Sequence, residues 1–535
     1  MKPERIHRLG RRFPSVQSAK DILRLLGLEK DHAGLMGACH AEGVVHREFV
    51  DQSGGGRTHA AAVLITAFLF VSTLHAQDIP VSSAKPWNSG REAEFAKQLQ
   101  TVPKQAYALD ANHIYTLAEL VDLAESHNPD TRVAWQNAKA RAQSLGVAKS
   151  ALLPTLSAVA LARTSRQATL YATGFYRDTY GIFEPALSLD YLIFDFGRRS
   201  GAINVAKDEM YAVDFAFNDT HRKIIYQVAA GYYRLLNAMG QQEAAKATLL
   251  NAQTVEKDAQ SRLDHGLATL PDLLEAQAAS AQADFDLQAA IGAQETAQGY
   301  LATTLGLPPD TNFQVQDIND LPIPDALTDT ADVAIDRALA QRPDLLEQVA
   351  RVRAADASIQ AARSSYFPSL SFSGIGGLER AYGRRSLYPD QYDGMETWNV
   401  GLTLQWTLFD GTRREHAVAE AKAQRAGALA QVDSLRDQIS DEVWRAYSDT
   451  KTALRQKRAA AALLASADKS YSAALKAYNL GLRNLLDVVS AQRALAQARS
   501  ADVFARTQVL TQISNLAFRT GDLLRTPSPR QNPQP

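Results

Sequence analysis

Two aspartates, Asp272 and Asp487, each stand six residues beyond a glycine, Gly266 and Gly481, where a long proline-free run gives way to a new helical stretch. A carboxylate in the first turn of a helix faces the positive end of its dipole, so the chemistry open to it is electrostatic rather than covalent. Tyr478 precedes the second glycine and Arg483 follows it; 215 residues earlier, Arg483 has Ala268 as its counterpart. No other constellation has the spacing of a catalytic or metal centre. The 11 histidines are scattered. No His-x-x-x-His and no glycine-rich phosphate loop occurs, and His221, His265 and His416 read as solvated or packing residues. The only cysteine is Cys39, which leaves no disulfide and no thiolate cluster. We therefore expect no catalytic residue, no bound metal and no cofactor.

The elements that hold these residues come in two copies. Asn128-Pro129-Asp130 returns as Arg342-Pro343-Asp344, and Leu153-Pro154-Thr155-Leu156-Ser157 as Phe367-Pro368-Ser369-Leu370-Ser371, both 214 residues on. Phe194-Asp195 with Arg198-Arg199 returns as Phe409-Asp410 with Arg413-Arg414, and Gly306 as Gly521, now 215 residues on. One register that gains a single residue relates 115–306 to 329–521, so the chain is a tandem duplication. The connection 307–328 holds Pro308, Pro309, Pro322 and Pro324 and reads as ordered linker, while 522–535 reads as a disordered tail.

Composition narrows the class. The 535 residues carry a net charge of −1 with 21% charged residues, which gives no electrostatic footprint for nucleic acid. Mean hydropathy is −0.24, and the longest apolar run, Ala60 to Val71, is too short to span a bilayer as a helix. That run follows Arg57 and leads into Ser72-Thr73-Leu74-His75-Ala76, the layout of a secretion signal cleaved before Gln77. Residues 1–76 then form a leader and signal peptide, with the true start between Met36 and Val50, and 77–114 an N-terminal periplasmic segment. Leu35 to Cys39 superficially resembles a lipoprotein cleavage site, but no apolar stretch precedes it, so lipidation is not expected.

Each copy opens with helical spacing, Leu117, Leu120, Val121, Ala124 and then Val333, Ala334, Leu339, and runs on as alanine-rich helix to Pro154 or Pro368. The period then changes to two. Trp398, Val400, Leu402, Leu404, Trp406 and Leu408 alternate with polar or small residues, and Leu187, Leu189, Tyr191 and Ile193 do likewise. Strands from Pro154 to about Arg166 and from Pro368 to about Tyr382 precede them, joined by polar loops at 167–184 and 383–395. An apolar face with tryptophans at both ends reads as a lipid-facing barrel strand. Four strands cannot close a barrel, and an open edge is forbidden in hydrocarbon, so several chains must contribute. From Arg198 to His265 and from Arg413 to Leu480 no proline appears; each run of 68 residues makes a helix of about 100 Å. Leu464, Tyr471 and Tyr478 recur every seven residues, as do Ala460, Ala467 and Ala474, which is a heptad seam.

In this order and duplication, Leu-Pro-x-Leu-Ser before the first strand, Leu408 to Arg414 after the last, and Tyr478 to Val488 at the second glycine turn resemble the TolC-like outer-membrane efflux protein family. The resemblance implies a mainly α protein with a β-barrel portion: a homotrimer whose four strands per chain complete a 12-stranded barrel in outer-membrane lipid, continued by a periplasmic helical barrel. It implies the exit duct of a tripartite efflux or type I secretion system, docked to a periplasmic adaptor and an inner-membrane pump. Carried over residue by residue, it makes Tyr478, Arg483 and Asp272 a latch at the periplasmic mouth. Asp487 becomes an acidic pore ring, with Ser490 where the family's best-studied pattern has a second acid. Gly266, Leu267, Gly481 and Leu482 become adaptor-contacting tips. Among drugs, metals and proteins as cargo, drug efflux is favoured. A soluble periplasmic coiled-coil adaptor or scaffold is the other reading; it accounts for the heptads and the signal but not for Trp398 to Leu408.

Overall fold

The computed structural model describes residues 84, 92–101, 107, 109–385 and 388–524. The signal peptide, the start between Met36 and Val50, Cys39 and residues 525–535 lie outside the described residues. Helix α1 (Glu92–Thr101) belongs to a first unit, Met1–Lys104, and both repeats belong to a second, Gln105–Pro535.

Each repeat begins with two helices rather than one. In repeat 1, α2 (Leu117–His127) starts at a capping box, Thr116 and Glu119, and stops at Asn128. Pro129 then opens α3 (Pro129–Ser150) from the position where its missing N–H costs nothing. The first turn of α2 also follows a short parallel bridge that the sequence pattern does not show, β1 (Ile114–Tyr115) against β4 (Gln314–Val315). Repeat 2 repeats the break with α6 (Ala331–Gln341) and α7 (Pro343–Ser364).

The four long strands form one antiparallel sheet in the order β2 (Thr155–Tyr171), β3 (Gly174–Phe194), β5 (Ser369–Arg385), β6 (Tyr388–Gln405). The expected loops at 167–184 and 383–395 are therefore strand: pairing runs out to Tyr171–Gly174 and to Arg385–Tyr388. The residue gained between the repeats is visible here. Thr155 faces Asp190 and Ser369 faces Gln405, offsets of 214 and 215, whereas at the tip Arg385 faces Tyr388 and Gly383 faces Gln391. The extra residue is a β-bulge on β6 near the hairpin tip, a fault a sheet absorbs locally.

From the sheet the chain turns sharply into helix. Phe196-Gly197 and Gly411-Thr412 are successive left-handed residues (φ 51° and 96°; 69° and 67°). The duplicated Asp-x-x-x-Arg fixes both turns. Asp195 and Arg199 pair at 3.0 Å, as do Asp410 and Arg414, and Arg199 and Arg414 donate to Ile193 O and Leu408 O. Next come α4 (Arg198–Asp264) and α8 (Arg413–Asn479), each 67 residues, and the return helices α5 (Leu270–Thr304) and α9 (Leu485–Thr520).

The core is duplicated as well. Leu120, Ala124, Ile224 and Val228 are buried with Leu301, Leu305 and Phe313 in repeat 1. The corresponding Ala334, Ala338, Ile439 and Val443 are buried in repeat 2. Val333, placed by its spacing on the packed face, is exposed instead. Between the repeats, Leu307, Phe313, Val315 and Ile318 are buried. Asp522–Leu524, counted by sequence in the tail, form a 3-10 turn in which Asp522 accepts from Arg337 at 3.1 Å.

Candidate functional site

Both long helices end in the same hydrogen-bonded cap. Gly266 N–H donates to Leu263 O and Leu267 N–H to Arg262 O; Gly481 and Leu482 repeat this onto Tyr478 O and Ala477 O. Gly266 and Gly481 have φ of +74° and +75°, the left-handed geometry this motif requires and that side chains resist. Such a cap often buries the leucine that follows it. Gly306-Leu307 does so, with Leu307 5% exposed; at the two turns, Leu267 is 76% and Leu482 75% exposed. Among the described residues nothing covers these apolar side chains.

The starts of the return helices differ. In repeat 1 the Thr269 N–H and hydroxyl both donate to the Asp272 carboxylate, at 2.9 and 2.6 Å. These hydrogen bonds, the hydroxyl's first, hold the Asp272 carboxyl below its usual range. In repeat 2 the cap is Asn484, whose Oδ1 accepts from Asp487 N–H at 3.0 Å. Asp487 is left to take Arg483, in the turn before the helix, as an ion-pair partner at 3.3 Å.

Of the four charged or aromatic residues expected at the mouth, the single chain thus joins Arg483 to Asp487 and Asp272 to Thr269. Among the described residues no hydrogen bond or ion pair joins Arg483 to Asp272. Tyr478 is buried on the heptad seam with Ala467, Tyr471, Leu485, Val488 and Val489. Burial raises its phenol pKa, against the charge of Arg262.

Arg262 is the residue the sequence reading missed. Its guanidinium lies 4.4 Å from the Tyr478 ring centre, and it also bonds Asp258 at 3.2 Å and Asn479 Oδ1 at 3.1 Å. It joins the last turn of α4 to the last turn of α8. In the 215 register Tyr478 corresponds to Leu263, so comparing the copies does not reveal the pair.

A second missed group lies further along the bundle. Arg222, 1% exposed, bonds Asp219 and Phe518 O, and its guanidinium lies 4.5 Å from the Phe518 ring centre. Arg342, 4% exposed, bonds Asp344 at 2.6 Å and Glu442 at 2.8 Å. Burial would raise the Asp344 and Glu442 carboxyls, but the Arg342 hydrogen bonds and charge outweigh it and hold both low. No sequence spacing announces such a cluster, because its members come from α4, α7, α8 and α9.

On the sheet, Trp398, Val400, Leu402 and Leu404 share one face and are 58–79% exposed. Trp406 falls just past the end of β6, and its indole N–H donates to Tyr366 O at 3.0 Å. The other face of β6 carries Asn399, Thr403 and Gln405, and β2 and β6 are both open edges. Among the described residues no helix is long and apolar enough to cross a membrane, and no group of three or more His, Cys, Asp or Glu residues is placed to hold a metal.

A sheet apolar on one face and polar on the other, with open edges and continued by paired helices of about 100 Å, defines a membrane-embedded conduit. The outer membrane efflux protein family matches this chain twice, over residues 120–307 and 334–522, and the chain belongs to that family. It is 27% identical over 417 residues to protein CyaE of Bordetella pertussis, spanning 77% of this chain and 85% of that one. To outer membrane protein OprJ of Pseudomonas aeruginosa it is 24% identical over 437 residues, 80% of this chain and 89% of the relative. The Campylobacter jejuni CmeC outer membrane channel shares the fold, with a TM-score of 0.64 at 21% identity, covering 79% of this chain and 90% of that one. The protein is an outer-membrane channel of an export system, with its strands in the membrane and its helices in the periplasm. Its family is one of transport channels, not of enzymes.

Proposed function

We propose that three copies of this chain close a 12-stranded barrel and a continuous helical tube, which serves as the exit duct for a periplasmic adaptor and an inner-membrane pump. The observation that carries this reading is the pair of open edges. β2 offers 17 residues and β6 offers 18 with unpaired backbone on one side, in a sheet whose apolar face suits lipid. Hydrocarbon leaves such edges no partner except another chain. Four strands from each of three chains give a number well within the range of bacterial barrels.

The exposed Leu267 and Leu482 at the tips, each on a rigid glycine cap, suit an adaptor that recognises six similar turns. Arg483, Tyr478 and Asp272 act as the latch, with Arg483 exchanging Asp487 for Asp272 when the mouth closes. Asp487 forms a ring of three carboxylates, which concentrates cations at the mouth. Drug-like small molecules are the cargo class we favour. The assembly is tested by the mass of the detergent-solubilised protein and by its migration before and after boiling. A heat-sensitive trimer is expected; a monomer that remains folded and membrane-bound would overturn the proposal.

A further inference from the structure

The strands run well beyond the apolar band. Trp398 and Trp406 bracket that band, separated by about 26 Å of chain, which at the usual barrel tilt rises about 20 Å and fills most of the roughly 25 Å belt of a membrane barrel. Past Trp398, β6 continues to Tyr388 and its neighbour β5 to Arg385, on the side away from the helices. These outer halves bear a different chemistry on the same face.

Alternate residues of a strand share a face, which places Arg380, Tyr382 and Arg384 on the side of Phe372 and Leu378 and therefore of Leu402 and Val400. Arg384 faces Thr179, which in turn faces Arg166, so two guanidinium groups flank one threonine at a single height. Arg380 stands nearer the band, opposite Phe183.

Between the two heights lies an aromatic platform. A Cβ on Gly181 would come within 2.5 Å of the Tyr382 ring, so that ring lies against bare backbone. Tyr392 stacks on it at 5.7 Å, with the planes 26° apart, and is 77% exposed. Two of the three arginines are largely unengaged. Arg380 has no hydrogen bond or ion pair among the described residues, and Arg166 gives only its Nε to Thr179 Oγ1, at 3.2 Å. Arg384 is held by Asp390, through Nε at 3.1 and 3.2 Å and Nη2 at 2.9 Å, and stays 62% exposed, so a phosphate there competes with that carboxylate. Glu396, opposite Leu378, is a further acid on this face.

Guanidinium groups recognise phosphate by paired hydrogen bonds, and a flat aromatic surface takes the C–H face of a sugar ring. A face just beyond the apolar band meets headgroups rather than acyl chains or bulk water. We propose that this patch binds the headgroup of a phosphorylated glycolipid in the outer leaflet. The sugar rests on Tyr382 and Tyr392, one phosphate meets Arg380, and another meets Arg166 and Arg384. The proposal rests on the reading that Trp398 to Leu404 face lipid.

The trimer is reconstituted in nanodiscs of phosphatidylethanolamine doped with a bis-phosphorylated, acylated glucosamine disaccharide, and retained lipid is counted by native mass spectrometry. Retention is expected to exceed that of phosphatidylglycerol and of the phosphate-free glycolipid. Combining Arg166→Ala, Arg380→Ala and Arg384→Ala should lower it about tenfold or more, and the three Arg→Lys changes should restore part of it. Should the alanine variant not assemble, the lysine variant set against Tyr392→Ala carries the comparison, each expected below the unaltered trimer.

Equal retention of the glycolipid and phosphatidylglycerol, or no loss in the variants, overturns the proposal while leaving the lipid-facing band intact. Displacement by the deacylated phosphosugar at equal concentration also overturns it, since the ligand would then be soluble. A barrel that never enters the nanodisc overturns both the proposal and the reading beneath it.

Discussion

The two repeats share a backbone and differ in how they use polar side chains. In repeat 1, Asn128 caps its own helix and donates to Thr304 O at 3.0 Å. In repeat 2, Arg342 occupies the same place and reaches the corresponding carbonyl, Arg519 O, at 3.4 Å, but also bonds Asp344 and Glu442. The far turns show the same contrast. Repeat 1 closes Thr269 on Asp272 within one helix end, whereas repeat 2 leaves Arg483 and Asp487 paired but exposed. At these two places repeat 2 has an arginine, Arg342 or Arg483, where repeat 1 has a neutral residue, Asn128 or Ala268.

The largest test of that contrast is at the buried step. Arg342→Ala leaves Asp344 and Glu442 without their principal cation in a buried site and should cost about 3–5 kcal/mol. Asn128→Ala removes a cap and one carbonyl's partner and should cost about 1–2 kcal/mol. Denaturant midpoints of the solubilised protein give the comparison; equal losses would mean that both repeats are tied alike. Next come the leucines that follow the three glycine caps. Leu307→Ala opens a cavity in a packed core and should cost about 2–5 kcal/mol. Leu267→Ala and Leu482→Ala should each cost under about 0.5 kcal/mol yet impair export through a docked adaptor. A stability loss at the tips equal to that at Leu307 would remove them as a docking surface.

Much of this was legible in the chain. Proline placed both strand starts, and the proline-free runs gave helices within one residue of their observed length. The heptad residues Ala460, Ala467, Tyr471 and Tyr478 are buried as the seven-residue spacing requires. The outer hairpins read as loops for a physical reason: beyond the apolar band neither face of a strand meets hydrocarbon, and the apolar alternation that marks a strand fades. Tyr, Gly and Arg then look like loop residues even while their backbones pair. The Arg222 and Arg342 cluster was invisible because partners such as Glu442 lie 100 residues away in sequence. Arg483 and Asp487 stand four apart, close enough to pair across the start of α9. The family resemblance directed Arg483 to Asp272 instead.

That difference makes the gate testable by single-channel recording. If one guanidinium serves two carboxylates, Arg483→Ala should raise conductance several-fold, and Asp272→Ala should do so as well. Asp487→Asn should act in the opposite direction on closure, because it frees Arg483 for Asp272, while also weakening block by divalent cations. Asp272→Ala without any effect on conductance would confine Asp272 to capping and remove it from the latch. Ala268→Arg asks whether repeat 1 gains a switch once it has the missing cation.

The smallest effect expected is with acid, and it separates the two helix starts most finely. The folded Asp272 carboxyl is held below its ordinary value by Thr269, so the stability it contributes is present above the unfolded pKa, about 4. That contribution is lost as pH falls through the lower folded value. Between pH 7 and 5 the stability of the repeat 1 turn should therefore not change, and only below about pH 4 should its amides lose protection relative to their intrinsic exchange at that pH. The group is exposed, so the effect stays under about 1 kcal/mol. Thr269→Val removes the hydroxyl donor and should move that acid step upward in pH, towards an ordinary aspartate. Hydrogen exchange at 269–273, followed against pH in both proteins, reads this directly. An acid step unmoved by Thr269→Val would show that the helix dipole, which both repeats share, sets the titration, and the contrast between the two starts would reduce to the placement of Arg483.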